Sequence, residues 1–111
     1  MVANQLTLGQ KRRVMYIEGK GALIDGVSAR IGWVTFSKSG RTLTYRGLTL
    51  GRIKGGGVSG NYIDTESGAE YWVSGVKKRG SNTHPAEGGV AVAIDPDAQE
   101  EYTNLRSGGG I

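Results

Sequence analysis

The stretch from residue 30 to residue 47, "RIGWVTFSKSGRTLTYRG", alternates apolar and polar residues on both sides of a Ser-Gly pair. A period of two is typical of strands that bury one face. A Ser-Gly dipeptide suits the tight turn between two such strands. This stretch therefore predicts a β-hairpin, and a chain that contains it must build a sheet around it.

The turn also fixes which side chains face inward. With Ser39 and Gly40 as the loop residues, Phe36 pairs with Leu43. The predicted inward face then holds Val34, Phe36, Leu43 and Tyr45. The outward face holds Trp33 beside Arg46 and Thr35 beside Thr44. A slip of one residue would exchange the two faces, so the register is a strict test of this interpretation.

The rest of the chain repeats the pattern of short strands and glycine turns. Strands are predicted at residues 13–18 and 48–54, and a second hairpin at 61–75 around Ser67 and Gly68. Residues 90–95 are predicted to form either a short edge strand or an extended lead-in to the helix. Twenty glycines against two prolines favour tight turns and bulges over a helical bundle. We therefore predict a mainly β fold, a small strongly bent sheet or SH3-like barrel, with one C-terminal helix. An open α+β sheet is the alternative.

The helix is predicted from its start signal. Asp95 is a good N-cap residue, Pro96 suits the first helical position, and acids follow in the first turn. Helical spacing then places Ala98, Tyr102 and Leu105 on one face, which we expect to dock on the sheet.

The domain organisation follows from these elements. Residues 1–12 are predicted to be a flexible arm, and residues 13–105 a single small β domain whose helix lies near 96–105. Residues 106–111 are predicted to be a flexible tail. The chain shows no apolar run of signal-peptide or membrane-spanning length, which predicts a cytoplasmic protein without a membrane partner.

Composition removes several kinds of site. There is no cysteine, so disulfides, thiolate metal sites and a cysteine nucleophile are excluded. The single histidine, His84, is too few for a two-histidine zinc motif. The acids Asp64, Glu66 and Glu70 flank one turn without the spacing of a calcium loop, and solvated turn acids are the favoured interpretation. "GGGVSG", residues 55–60, has the spacing of a dinucleotide-binding motif but precedes a strand pattern instead of a helix. We predict no catalytic residues, no metal and no cofactor.

The charge is divided along the chain. Residues 1–54 hold ten Lys and Arg against two acids, whereas residues 55–111 hold four against eight. Cations beside outward aromatic rings are typical of surfaces that bind single-stranded nucleic acid. The candidate binding residues are Trp33, Lys38, Arg41, Arg46, Arg52, Lys54, Lys77, Lys78 and Arg79, with Arg30 as a further cation. The alternative is ordinary solvated charge, with Trp72 in the core and Trp33 covered by the arm or the helix.

Several segments together carry a resemblance to a known family. "MYIEGKGA", "ARIGWVTFSKSGRTLTYRG", "NYIDTESGAEYWVSGVKKRG" and "AIDPDAQEEY" occur in this order. They resemble a family of small bacterial proteins of uncharacterised function, over most of residues 15–102. Family members usually carry a basic residue in place of Trp33 and a basic and aromatic mixture in place of "GGGVSG".

Members of this family are often labelled 1-deoxy-D-xylulose-5-phosphate synthase, and the resemblance implies no catalytic residues to transfer. Thiamine-diphosphate chemistry needs a frame that binds a large cofactor with its metal. This chain is too short for such domains and has no G-D-G…N motif.

Three classes of function remain. The first is a noncatalytic module that binds nucleic acid or an acidic surface through the basic hairpin. The second is a protein-interaction or assembly domain, in which the acids around Glu100 and Glu101 meet the basic sheet of another chain. The third is an enzyme, which has the least support because no nucleophile, base or metal constellation is present.

Overall fold

Across residues 11–53, 60–76 and 92–107, which a computed structural model describes, seven strands form one sheet and six of them close into a barrel. The strands are β1 (Lys11–Gly19), β2 (Ala29–Phe36), β3 (Thr42–Tyr45), β4 (Leu48–Arg52), β5 (Tyr62–Asp64), β6 (Glu70–Gly75) and β7 (Val92–Ile94). Their order is β1-β6-β5-β4-β3-β2, antiparallel throughout, and the pairing of β1 with β2 closes the barrel. The prediction of a mainly β fold with one C-terminal helix is confirmed.

The predicted hairpin register is also confirmed. Phe36 pairs with Leu43 and Thr35 with Thr44. The connection is longer than the predicted two residues, because the last ladder hydrogen bond runs from the Ser37 N–H to the Thr42 carbonyl. The two extra loop residues are added symmetrically, so the faces are unchanged. Gly40, with a φ of 77°, supplies the left-handed conformation that this turn requires.

The interior of the barrel is lined by alternate residues of all six strands. Its buried cluster comprises Met15, Ile17, Ile24, Val34, Leu43, Tyr45, Leu50, Tyr62, Tyr71 and Val73. Three of the four predicted inward residues are therefore core. Phe36, the fourth, packs against this cluster but is only half-buried, because it is the last residue of β2.

A second apolar cluster lies on the outer face of β1 and β2. It contains Val14, Tyr16, Ala29, Ile31 and Ala98. The last of these belongs to a 3-10 turn, Pro96–Ala98, which leads into α1 (Gln99–Arg106). Tyr102 and Leu105 are half-buried against the same cluster, so the predicted docking face of the helix is confirmed. Trp33 and Trp72 also pack here and are half-buried.

Element boundaries differ from the predicted ones at the start of the barrel. β1 begins at Lys11, so Lys11 and Arg12, which the sequence placed in a flexible arm, belong to the sheet. The sequence pattern did not indicate a strand at these two residues, because both side chains are polar. They are polar because they lie at the open end of the barrel, where β1 pairs with the end of β2. Predictions about residues 1–10, 54–59, 77–91 and 108–111 lie outside the described residues.

The predicted edge strand pairs in a direction that the sequence did not indicate. β7 runs parallel to β2, with Ala29 opposite Val92 and Ile31 opposite Ile94. β2 pairs with β3 only at Thr35 and Phe36, so β7 takes over the free edge of β2 where β3 leaves it. The Asp95 N–H continues this ladder to the Ile31 carbonyl, at 2.9 Å. The side chain of Asp95 therefore lies where the edge of β2 passes from its pairing with β7 to its pairing with β3.

Candidate functional site

Among the residues that the structure describes, five exposed cations lie at one end of the barrel. The start of β1 pairs with the end of β2, the β2–β3 connection follows, and the Arg52 N–H donates to the Arg41 carbonyl at 2.8 Å. We call this surface the basic end, and it consists of Lys11, Arg13, Lys38, Arg41 and Arg52. None of the five forms an ion pair with any carboxylate that the structure describes. Their charges are therefore available to an anionic partner.

Sequence reasoning found only part of this surface. Lys38, Arg41 and Arg52 were predicted, and the structure brings them together. Lys11 and Arg13 were missed as binding candidates. The signal was the run "KRR" at residues 11–13, which becomes informative only when β1 is known to pair beside the hairpin tip. Lys54, Lys77, Lys78 and Arg79, the remaining predicted cations of this kind, lie outside the described residues.

A cleft opens on the outer face of the barrel next to the basic end. It has a volume of about 290 Å³. Its lining residues are Arg12, Trp33, Thr35, Thr44, Tyr45, Arg46, Gly47, Asp95 and Asp97. The predicted outward residues of the hairpin are thus brought together on one surface, which we call the outer cleft.

The cation over Trp33 is not the predicted one. The guanidinium of Arg12 lies 4.5 Å from the centroid of the indole. Arg46 instead pairs with Asp25, at 2.9 Å between Nε and Oδ2. Arg46 was expected to stack because it faces Trp33 across an ideal hairpin, but its φ of 49° takes it out of the strand into the turn.

Trp33 is held from two sides, so it is neither fully outward nor core. Its indole N–H donates to the Asp97 carbonyl at 2.9 Å, and its ring packs against the outer apolar cluster. The remaining face carries the Arg12 guanidinium, an arrangement worth about 0.5–1 kcal/mol at exposed sites. The 3-10 turn before α1 therefore covers part of the ring, whereas the alternative interpretation assigned this cover to the arm or the helix.

Arg30 serves the fold, contrary to its predicted role in binding. Its guanidinium donates to the carbonyls of Ile24 and Asp25, both at 2.8 Å, and to Asp95 at 3.1 Å. All three contacts are internal, which leaves this charge compensated.

Asp95 is buried and connects the C-terminal segment to the barrel. It is 4% exposed, and its two oxygens accept from Arg30 and from the Tyr45 hydroxyl, the latter at 2.6 Å. The predicted N-cap interaction is absent, since the side chain makes no capping hydrogen bond; only its backbone carbonyl accepts, from the Ala98 N–H. The Asp95 carboxylate thus binds Arg30 and Tyr45 instead of the backbone N–H groups at the start of the helix.

The environment of Tyr45 makes its phenol a poor acid. Burial raises the pKa of Tyr45 well above its ordinary value of 10.0, and the hydrogen bond to Asp95 and the charge of that carboxylate raise it further. A raised folded-state pKa means that stability is complete below pH 10.0 and falls as the pH rises above it, since the unfolded chain then loses its proton first.

We therefore expect the melting temperature to decline as the pH is raised through 10.0, and Tyr45→Phe to make this decline less steep. Tyr71 contributes as well, because burial and then the charge of Asp64 raise its pKa, so the variant should retain part of the slope. Thermal unfolding across this pH range measures both slopes. Equal slopes in the two proteins would contradict the assignment.

The acids of the second hairpin organise its turn. The Asp64 carboxylate accepts from the Glu66 N–H and the Ser67 hydroxyl, and these hydrogen bonds lower the pKa of Asp64 below its ordinary value. Glu70 accepts from the Gly60 N–H at 2.9 Å. Within residues 11–53, 60–76 and 92–107, no group of three or more His, Asp or Glu side chains is arranged to hold a metal ion.

A buried ion pair on the outer face was not anticipated. Glu18 is 1% exposed and accepts from the Tyr16 hydroxyl at 2.5 Å and from Lys20 at 3.0 Å. Both partners lie two residues away, on β1 or directly after it. Alternation along β1 could have indicated that Glu18 shares the face of Val14 and Tyr16, but not that this face would be covered. These contacts satisfy the buried charge, so the Glu18 carboxylate is not available to a ligand.

Comparisons with known proteins assign this chain to no family. No protein-family model, curated protein or solved structure matches the chain. No helix among the described residues is long and apolar enough to cross a membrane.

Proposed function

We propose that this protein is a noncatalytic binding module for single-stranded nucleic acid, which it contacts through the basic end. The observation that carries the proposal is the convergence of the five unpaired cations Lys11, Arg13, Lys38, Arg41 and Arg52. A cluster of exposed cations tracks a phosphate backbone without reading its sequence. The adjacent Trp33 and Arg12 supply a planar group beside that path.

The first test is a titration of a labelled oligonucleotide at several salt concentrations. Affinity should fall steeply with salt, because binding releases counterions from the strand. Each phosphate contact contributes about 0.7 to the logarithmic slope for single strands, so Arg41→Ala should reduce the slope by about that amount.

Arg46→Ala is the matched control for this test. It removes the same charge, but from a side chain that Asp25 already compensates, so its slope should change less. Absence of binding at low salt, or equal slopes in Arg41→Ala and Arg46→Ala, would contradict the proposal.

A protein-interaction or assembly domain is the second candidate. The exposed Glu100 on α1 and the basic end carry opposite charges on one chain, which suits contact between copies or with an acidic protein. An enzyme remains the least supported class. The likeness to SH3-like barrels, the resemblance to the small bacterial family and a cytoplasmic location stay predictions.

A further inference from the structure

The outer cleft contains a guanidinium that is held in place without an anion. Arg12 lies over the Trp33 ring, and no hydrogen bond or ion pair joins its guanidinium to another residue in the described parts of the chain. A guanidinium presents its N–H groups in a rigid fork that fits phosphate with two hydrogen bonds. Stacking on an indole limits the motion of this fork before any ligand arrives.

One carboxylate in the same cleft is also free. Asp97 is exposed, lines the cleft, and forms no ion pair with any described cation. Its backbone carbonyl accepts the Trp33 N–H, so Arg12 and Asp97 are both anchored to one indole. Asp95, the other carboxylate there, has both oxygens occupied. Of the described residues that line the cleft, Arg12 thus offers a free cation and Asp97 a free charged acceptor.

This pair of charges selects against a simple anion. A phosphate ion attracted by Arg12 would be repelled by Asp97, whereas a ligand with a phosphate and a separate hydroxyl donor satisfies both. Thr35 and Thr44 are cross-strand partners whose hydroxyls add further polar contacts. The volume of about 290 Å³ suits one small ligand unit.

We infer that the outer cleft binds one ribonucleotide unit of an RNA strand, with its phosphate on Arg12 and its ribose 2′-hydroxyl donating to the Asp97 carboxylate. The 2′-hydroxyl is the group by which a protein distinguishes RNA from DNA. This inference rests on the proposed function, because Arg12 lies between Lys11 and Arg13 of the basic end. Alternation along β1 puts Arg12 on the outer face and Lys11 and Arg13 on the opposite side, so a nucleic-acid strand that follows the basic end passes over the rim of the barrel at β1 to reach the cleft.

The test compares labelled oligouridine with oligodeoxyuridine of equal length by fluorescence anisotropy at low salt. The unaltered protein should bind the RNA about three- to tenfold more tightly, as expected for one hydrogen bond of ordinary net strength, since water weakens the bond to an exposed carboxylate. Asp97→Ala should bring this ratio close to one. The variant keeps the backbone carbonyl that holds Trp33, so the cleft itself should persist.

Glu100→Ala is the matched control, since it removes one negative charge from an exposed position on α1. It should strengthen binding of both oligonucleotides slightly and leave their ratio unchanged. Equal affinities in the unaltered protein, or an unchanged ratio in Asp97→Ala, would overturn the inference while leaving the proposed function intact. Failure to bind either oligonucleotide would overturn both.

A second pair of variants tests the phosphate contact. Arg12→Lys keeps the charge but loses the rigid fork and the stacking, so affinity for both oligonucleotides should fall several-fold. Arg106→Lys makes the same change at a guanidinium that lies over the Tyr102 ring on α1, outside the basic end and the outer cleft, and should have little effect. Equal effects of the two substitutions would show that Arg12 acts as a diffuse charge, which contradicts the assigned contact.

Discussion

Asp95→Ala is expected to lower the free energy of unfolding by about 3–5 kcal/mol, the usual cost of removing one partner from a buried ion pair. The substitution leaves the Arg30 guanidinium, whose side chain is 13% exposed, without its anion. It also leaves the Tyr45 hydroxyl without its acceptor. The loss should therefore exceed that of an ordinary surface change by a wide margin.

Chemical denaturation of the intact chain measures this difference. Asp97→Ala is the natural control, because it removes a carboxylate two residues later at an exposed position and should cost less than about 0.5 kcal/mol. If Asp95→Ala were as stable as Asp97→Ala, the Arg30–Asp95–Tyr45 contacts would not hold the C-terminal segment to the barrel.

Gly32→Ala is expected to destabilise the fold by about 3 kcal/mol, at the upper end of the range for overpacked sites. A Cβ at this position would lie 2.2 Å from Oδ2 of Asp95 and 2.7 Å from Cε1 of Tyr45. Both side chains are fixed by their hydrogen bond to each other, so neither can withdraw without breaking it. The glycine thus makes room for the polar contact that crosses β2.

Gly51→Ala on β4 provides the comparison. The nearest atom to its added Cβ is Cγ2 of Thr65 at 3.5 Å, an ordinary contact, so stability should change little. Chemical denaturation of both variants under the same conditions compares their free energies of unfolding. Similar stability of both would mean that the barrel wall at Gly32 can open to accept a methyl group.

The hairpin could be predicted in detail because its information is local. Period-two alternation and a turn dipeptide determine register, and register determines that Val34 and Leu43 face inward. The helix start was predictable for the same reason. The tertiary contacts of Asp95 could not be predicted. The capping pattern describes only neighbours in sequence, whereas the hydrogen-bond donors to this carboxylate come from β2 and the end of β3.

The candidate site was predicted in part for the same physical reason. Trp33 and Arg46 belong to one hairpin, so their common surface followed from alternation. Arg12 comes from another strand, and its place over Trp33 depends on the pairing of β1 with β2, for which no local signal exists. The free charge of the site likewise depends on ion pairs between residues that are distant in sequence. The pairing of Arg30 with Asp95 and of Arg46 with Asp25 was therefore not predicted.

The parallel pairing of β7 with β2 has a consequence for the order in which the chain can fold. Ala29 meets Val92 across more than half of the 111 residues, and this pairing is available only after all six barrel strands have been synthesised. Contacts so distant in sequence form slowly, because the chain entropy must be lost before the contact is gained. Until then the free edge of β2 and the apolar outer face around Tyr16 and Ile31 are uncovered, which invites pairing with other chains. We therefore expect folding of this protein to include an interval in which it is prone to associate with other chains, and this interval ends when its last strand and helix pack on the barrel.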